Sequence, residues 1–175
     1  MKLNNLIFTA LAGFSIILAG CQNNDENEQH YDNKLFISAS NFTKEILFKA
    51  GDTNVETGLS VAIAKPEEHD IKVTMSPAPE LLSTYKLAYY DETAVLLSEE
   101  HYSMPETSTT IKSGSIVSPE LPIEFINTGE LDIKTTYVLP VTIKSVEGIG
   151  VLQSAKTYYY VFRGASLINV VCNIS

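Results

Sequence analysis

Acidic side chains are the groups in this sequence best able to perform acid–base chemistry. Hydrolysis of a glycosidic bond needs two carboxyl groups facing the sugar, one of them kept protonated by its surroundings. The acids gather in short clusters between apolar runs: Glu67-Glu68, Asp70, Asp91-Glu92, Glu99-Glu100, Glu130 and Asp132. No motif selects any two of them, and acid clusters in turns are usually solvated. The pattern therefore predicts that the chain is not an enzyme.

Metal and nucleophile chemistry has little support in the residue pattern. The run from Glu67 to Asp70 could hold a cation, but calcium loops alternate their ligands and use a glycine at the sharp turn. We therefore interpret this run as a hairpin tip. His30, His69 and His101 lack the spacing of metal ligands. The sequence has neither a G-x-S-x-G elbow nor a glycine-rich phosphate loop, so we predict no metal and no cofactor.

Tyrosines are the candidates for stacking against a sugar ring, because the chain has no Trp. A tyrosine offers an apolar face and a hydroxyl group. The candidates are Tyr89-Tyr90, Tyr102 and Tyr158-Tyr159-Tyr160. In a strand, Tyr158 and Tyr160 face one way and Tyr159 the other, so at most part of this triplet can be exposed. Their alternative role is to form sheet and core edge, and we assign no residue to glycan binding.

The N-terminus has the pattern of a secretory signal. Lys2 precedes an apolar run over residues 6–18, which is short for a membrane span of about 20 apolar residues. The tetrad Leu18-Ala19-Gly20-Cys21 resembles the bacterial lipobox, in which a signal peptidase cuts before the cysteine. The resemblance implies a signal peptide at residues 1–20, cleavage between Gly20 and Cys21, and attachment of acyl chains such as palmitate to Cys21. An ordinary secretory signal is the alternative.

Residues 21–34 are predicted to form an acidic tether behind the lipidated Cys21. Residues 22–33 contain no aliphatic side chain and cannot bury a core. Their acids Asp25, Glu26 and Glu28 resemble the export signal that sends lipoproteins of the Bacteroidota to the outer face of the outer membrane. That resemblance implies a cell-surface location, and a plain solvated linker is the alternative.

Length and charge favour one acidic domain after the tether. The chain has 175 residues, of which 45% are apolar, enough for one compact domain. Its 12 Lys+Arg against 21 Asp+Glu give a net charge of -9. Nucleic acid is excluded as an expected partner, because phosphate binding needs a basic stripe. If Cys21 carries lipid, Cys172 has no disulfide partner within the chain, and we interpret it as a buried thiol.

From Leu35 onward, apolar residues alternate with a period of two, which is typical of strands. The alternating runs lie at 35–39, 59–63, 71–75, 137–143 and 158–162, with shorter apolar runs at 46–48, 109–111 and 121–126. The pattern predicts an all-β, immunoglobulin-like β-sandwich of about seven strands over residues 35–175. Pro140 cannot donate to a ladder, so its strand should be an edge or bulged there. Residues 79–85 should form one or two helical turns behind Pro79.

Three motifs in the second half carry a family resemblance. They are the strand Tyr137-Val138-Leu139-Pro140, the turn Ile111-Lys112-Ser113-Gly114, and the last strand Tyr159-Tyr160-Val161-Phe162-Arg163-Gly164. Their order resembles the N-terminal module of Bacteroidota surface lipoproteins known as domain of unknown function family 1735, over residues 35 to 170. The resemblance implies an immunoglobulin-like sandwich, a lipid anchor and an association with polysaccharide-utilisation loci.

Many members of that family continue into a lectin-like sandwich or a family 18 glycoside hydrolase, whereas this sequence stops at Ser175. The sequence leaves open whether a C-terminal module has been lost. The resemblance implies a lipid-anchored outer-membrane lipoprotein, a non-catalytic glycan-binding or spacer module of a polysaccharide-uptake system. Its expected partners are the outer membrane, polysaccharide and glycan-uptake proteins. An adaptor or fimbrial-type subunit and a fragment of a two-module protein are the alternatives.

Overall fold

The computed structural model describes residues 32–165 of the chain. The predicted signal peptide, Cys21, most of the tether and Cys172 lie outside these residues. Within them the chain forms twelve strands and one α-helix, α1 (Leu82–Tyr89). The strands are β1 (Lys34–Ile37), β2 (Thr43–Phe48), β3 (Val55–Leu59), β4 (Val61–Ala62), β5 (Ile71–Pro77), β6 (Val95–Leu96), β7 (Tyr102–Ser103), β8 (Ser108–Ile111), β9 (Leu121–Phe125), β10 (Tyr137–Val146), β11 (Gly150–Val151) and β12 (Thr157–Gly164).

The strands form three sheets that pack as a sandwich. The largest has the order β2-β12-β10-β5-β8, with β6 also paired to β10. The second sheet is β3-β9-β7 and the third is β11-β1-β4. The pairs β2–β12, β6–β10 and β1–β11 are parallel, and the other ladders are antiparallel. The predicted all-β immunoglobulin-like sandwich is confirmed, and the strands beyond the predicted number are mostly two-residue pairs.

The main core lies between the large sheet and the β3-β9-β7 sheet. Alternate residues of β10 and β12 point into it, and Tyr160 and Phe162 are fully buried there. The ring of Phe125 from β9 meets both rings edge-on, with centroid distances of 5.2 Å to Tyr160 and 4.6 Å to Phe162. Edge-to-face pairs add about 0.5–1.5 kcal/mol each to the stabilisation from buried area. These rings therefore fix how the two sheets face each other.

The helix α1 covers the opposite face of the same strands. Val138, Tyr159 and Val161 lie beneath it and form a second apolar cluster with Tyr85. Both faces of β10 and β12 are therefore buried, which requires the nearly continuous apolar sequences of these strands. The predicted helix behind Pro79 is confirmed: a 3₁₀ turn at Pro79–Leu81 leads into α1. The helix continues four residues beyond the predicted end.

The prediction for Pro140 is wrong, because β10 lies at the centre of the large sheet. The one register irregularity of β10 against β5 falls between Ile143 and Ser145, beyond the proline. Along this edge of β10, β6 pairs with Tyr137 and Val138, and pairing to β5 begins at Val141. Pro140 faces the gap between these two neighbours, and its carbonyl accepts a hydrogen bond from Ala78 N at 2.9 Å. Its missing N–H donor therefore leaves no ladder acceptor unpaired.

The run predicted at residues 59–63 is not one strand. Leu59 ends β3 in the second sheet, whereas β4 begins at Val61 in the third sheet. Ser60 lies between them, and its carbonyl accepts a hydrogen bond from Ser38 N at 2.9 Å. The apolar alternation continues across the break, because Leu59, Val61 and Ile63 all enter the same core.

Candidate functional site

A furrow with aromatic walls runs between α1 and the edge strand β2 on the outer face of the large sheet. Two cavities of about 300 and about 160 Å³ make up this α1–β2 furrow, and Tyr89 lines both. Phe42 and Tyr159 line the larger cavity, and Tyr85 lines the smaller one.

Within residues 32–165, no helix is both long and apolar enough to cross a membrane.

Strand pairing brings the floor and one wall of the furrow together. β2 runs parallel to β12 with Thr43 opposite Tyr159 and Glu45 opposite Val161. Because paired residues of neighbouring strands point to the same side of a sheet, these side chains share the outer face. The alternation continues along β12 from Tyr159 and Val161 to Arg163. One sheet face thus presents aromatic, apolar and charged groups in sequence.

The helix supplies the other wall through two tyrosines four residues apart. Such residues lie on the same face of a helix, and the rings of Tyr85 and Tyr89 stack with centroids 4.8 Å apart. Both also contact the ring of Tyr159, at 5.4 Å from Tyr85 and 6.0 Å from Tyr89. Burial raises the pKa of the Tyr89 hydroxyl. This hydroxyl therefore stays neutral near pH 7 and can both donate and accept hydrogen bonds.

Two rings of the furrow remain open to solvent. Phe42 is 53% exposed and Tyr89 is 40% exposed. An exposed phenylalanine contributes little to the core, and its backbone carbonyl already accepts a hydrogen bond from Tyr159 N at 3.0 Å. The exposed ring is therefore not required by the local pairing. Together the two rings offer an apolar surface of the kind that stacks on a flat, partly apolar ligand.

Charged groups border the furrow beside the smaller cavity. Arg163 Nε lies 3.6 Å from Glu45 Oε1, and Arg163 Nη2 lies 3.7 Å from Asp91 Oδ2. Thr93 Oγ1 donates to Asp91 Oδ1 at 3.1 Å, which orients that carboxylate. The Arg163–Glu45 pair is open to water, and such a pair stabilises a fold by about 0–1 kcal/mol, whereas the Asp91 side chain is only 16% exposed. Arg163 and Glu45 can therefore exchange partners with a polar ligand at small energetic cost.

A separate cavity of about 430 Å³ lies on the solvent side of the β3-β9-β7 sheet. Glu56, Glu120 and Glu124 line it, together with two prolines. Gly58 lets the Glu120 side chain lie against the backbone, since a Cβ atom there would overlap the carboxylate. None of its lining residues carries an aromatic ring. Among residues 32–165, no three or more His, Cys, Asp or Glu side chains are grouped to hold a metal ion.

The acids singled out in the sequence lie outside the strands, and all of them except Glu67 and Asp91 are exposed. Lys112 Nζ and Ser113 N donate to Asp70, and these bonds lower the pKa of its carboxyl group. The backbone N–H of Lys134 and the Thr135 hydroxyl lower the pKa of Asp132 in the same way. A general acid needs the opposite shift, which keeps its proton at neutral pH. These two carboxyl groups are held ionised by their hydrogen bonds.

The tyrosine candidates divide into a buried and an exposed group. Tyr158, Tyr159 and Tyr160 are at most 8% exposed, so the alternative role as sheet and core residues holds for the triplet. Tyr102 packs against the main core. Tyr89 lines the furrow, and Tyr90 is 92% exposed with a left-handed φ of 54°. The structure thus leaves two neighbouring tyrosines available to a ligand.

The sequence candidates did not include Phe42, Glu45 or Arg163 of the furrow. Arg163 could have been found, because it follows Tyr159 and Val161 on the same face of one strand. Phe42 and Glu45 gave no comparable signal, since their placement depends on the parallel pairing of β2 with β12. The predicted lipidation at Cys21 and cleavage after Gly20 lie outside the described residues and stay predictions.

A family model described as a "-like, N-terminal domain" matches residues 31–150. Among solved structures, a Bacteroides ovatus protein provisionally described as carbohydrate-binding superposes with a TM-score of 0.66 at 18% identity, over 74% of this chain and 36% of that one. EndoBT-3987 from Bacteroides thetaiotamicron, solved with a Man5GlcNAc product, gives 0.62 at 19% identity, over 74% and 30%. A multidomain Bacteroides ovatus protein that includes domain of unknown function 1735 gives 0.53 at 21%, over 73% and 42%.

The chain spans less than half the length of each of these solved proteins. At such low identities the superpositions show a shared fold. No curated protein matches the chain.

Proposed function

This chain belongs to the Bacteroidota family of N-terminal sandwich modules that includes domain of unknown function 1735, and on that premise we propose that it is a non-catalytic glycan-binding module held at the cell surface by lipid. The α1–β2 furrow carries the proposal. It combines open aromatic rings with planar polar groups, and a sugar ring needs both: its C–H face is apolar, while hydroxyl groups surround its edge. The descriptions of two structural relatives, one as carbohydrate-binding and one with a glycan product, support the same class of ligand.

A non-catalytic role is supported by the lowered pKa values of three carboxyl groups, those of Asp70, Asp132 and Glu80. Hydrogen bonds to Asp70 and Asp132 lower the pKa of both groups. Hydrogen bonds from its own backbone N–H and from Lys144 Nζ lower the pKa of Glu80. Glycosidases instead place one carboxyl group where its pKa is raised. The reaction of EndoBT-3987 is therefore not transferred to this module, which matches less than a third of that protein.

The path of the chain through the sandwich suits a module that also acts as a spacer. Lys34 pairs with Gly150, just beyond the C-terminal end of β10, whereas Phe162 near the end of β12 pairs with Tyr137 at the N-terminal end of β10. β1 and β12 therefore place these residues near opposite ends of a ten-residue strand, a distance of about 33 Å. A lipid at Cys21 and a further module after β12 would be held apart by that length.

Affinity electrophoresis of residues 22–175 tests the glycan-binding proposal, because this segment contains every described core residue. Native gels containing galactomannan, xyloglucan, yeast mannan, polygalacturonate or chondroitin sulfate are compared with a gel without polysaccharide. We expect retardation by at least one of them, relative to a non-binding reference protein. Uniform mobility of a folded sample would contradict glycan binding and favour the adaptor alternative. For that role β2, which is an edge strand of the large sheet within residues 32–165, offers a protein-binding surface with its 65% exposed Leu47.

Lipid anchoring is tested in cells with the full chain and the Cys21→Ser variant. A diacylglyceryl group on the Cys21 thiol and an acyl chain on its new amine should incorporate labelled palmitate into the unaltered protein and hold it in the membrane fraction. The serine variant should incorporate none and leave that fraction. Labelling that persists in the variant would show that lipid is attached elsewhere, or that the lipobox assignment is wrong.

A further inference from the structure

We propose that the α1–β2 furrow is the glycan site and that it selects uncharged glycans over anionic ones. This inference rests on the proposed function and assigns a place and a ligand class to it. The argument has an aromatic part, which locates the sugar ring, and an electrostatic part, which excludes polyanions.

The aromatic part concerns Phe42 and Tyr89, which flank the larger cavity. Both line it, and both are exposed, whereas the neighbouring rings of Tyr85 and Tyr159 are buried. Tyr89 is held in place, because its ring stacks on Tyr85 and meets the edge of Tyr159. A ring fixed before binding loses little conformational freedom when a ligand arrives. The cavity between these rings, about 300 Å³, lies within the size range of small-ligand sites.

The electrostatic part concerns the charges that border the furrow. Two are cationic, Arg163 and Lys156, and two are anionic, Glu45 and Asp91. Arg163 lies between both carboxylates, so its charge is already balanced. The chain as a whole carries a net charge of -9. The four border charges, with Lys156 included, sum to zero, so a uronate or sulfate group would meet no net positive field there and would be repelled at long range by the negative charge of the whole chain.

The same charged groups suit the hydroxyl groups of a neutral sugar. The Arg163 guanidinium donates in a planar fork, and the carboxylates of Glu45 and Asp91 accept. Hydrogen bonds in which one partner is ionised are stronger than neutral ones. A sugar that stacks on Tyr89 would bring its edge towards this group of three side chains. Stacking and hydrogen bonding would then act on one ligand at once.

Residues 22–175 test the inference in the same gels with two furrow variants and one matched control. Phe42→Ala removes an exposed ring with no place in the core, so this variant should fold normally. Tyr89→Ala removes the shared wall, and thermal unfolding monitors its fold. Tyr90→Ala removes a neighbouring, 92% exposed tyrosine that lines neither cavity. We expect neutral polysaccharides to retard the unaltered protein, and each furrow variant to lose about tenfold in affinity, equivalent to about 1.4 kcal/mol. Tyr90→Ala should bind as the unaltered protein does.

The other outcomes separate this inference from the proposed function. Retardation only by polygalacturonate or chondroitin sulfate, weakened by added salt, would overturn neutral selection while glycan binding stands. Retardation by a neutral polysaccharide that persists in both furrow variants would overturn the site. An equal loss in Tyr90→Ala would move the ligand to the outer end of the helix and overturn the furrow as its place. Absence of retardation in every gel would contradict the proposed function and this inference with it.

Discussion

Replacement of Tyr160 by phenylalanine should stabilise the sandwich, because the hydroxyl of this tyrosine is buried and has no hydrogen-bond partner within residues 32–165. Tyr160 is 0% exposed, and among the described residues its Oη atom has no hydrogen-bond partner. Burial raises the pKa of Tyr160 far above its ordinary value, and the nearby Thr57 hydroxyl offsets this only in part. Thr57 Oγ1 accepts a hydrogen bond from Lys44 Nζ at 2.7 Å, and no hydrogen bond joins it to Tyr160 Oη within residues 32–165.

The magnitude follows from two opposing contributions. A buried polar group without a partner costs about 1–3 kcal/mol. Removing the oxygen leaves a void of roughly 10–15 Å³, which costs about 0.3 kcal/mol at roughly 24 cal/mol per Å³. The packing of the ring against Phe125 is kept, because both side chains have the same aromatic body. With a penalty of about 2 kcal/mol, the middle of that range, Tyr160→Phe should gain about 1.7 kcal/mol in the free energy of unfolding.

Urea denaturation of residues 22–175 measures this gain as a higher midpoint with an unchanged slope. The melting temperature should rise by about 3–6 °C for a domain of this size. Tyr158→Phe is the matched control, since Tyr158 points to the same side of β12 and is 8% exposed. It should change stability by less than about 0.5 kcal/mol. A variant at Tyr160 that is less stable than the unaltered protein would show that its hydroxyl is satisfied and refute the reasoning.

Three further substitutions test how loops of the sandwich are held. Gly129→Ala should cost about 2–3 kcal/mol, because a Cβ atom there would overlap backbone atoms of Asp52; chemical denaturation measures it. Gly114→Ala is the control: Gly114 has a φ of +77°, but a Cβ atom there would meet no atom within 4 Å. It should cost only about 1–2 kcal/mol, from backbone strain alone. Equal losses in the two variants would contradict the role of the close approach at Gly129. Asp132→Asn should reduce stability at pH 7: hydrogen bonds hold the folded pKa below its ordinary value of 3.8, so the carboxylate stabilises the fold above that pH. The difference from the unaltered protein should vanish as the pH falls well below 3.8 in acid-unfolding curves, and a difference that persists in acid would refute the linkage.

The fold class was predictable because the alternation of apolar and polar residues indicates a strand within a few positions of sequence. The alternation at Ile71, Val73 and Met75 and that at Tyr158, Tyr160 and Phe162 both became strands with those residues in the core. The helix behind Pro79 was equally readable, since proline at the first turn and helix formers after it are local signals. Strands of two residues, such as β6 and β7, carried no readable period and were not predicted.

Pro140 shows where local rules are insufficient. A proline in the middle of a strand argues for an edge, yet β10 is central. The exception depends on the gap that β6 and β5 leave along one side of β10. Each of those strands is separated from β10 by dozens of residues, so no window of sequence around Pro140 contains the information.

The sequence by itself determined the all-β sandwich, the helix behind Pro79 and the candidacy of Tyr89, because these depend on residue type and on spacing within a few positions. The tertiary structure alone decided that Tyr159 is covered by α1 while Tyr89 stays open. It also decided that Phe42, Glu45 and Arg163 border one furrow. The physical reason is that β2 and β12, more than 100 residues apart, pair in one parallel register. A register of that kind is set by packing across the whole domain, which no local pattern encodes.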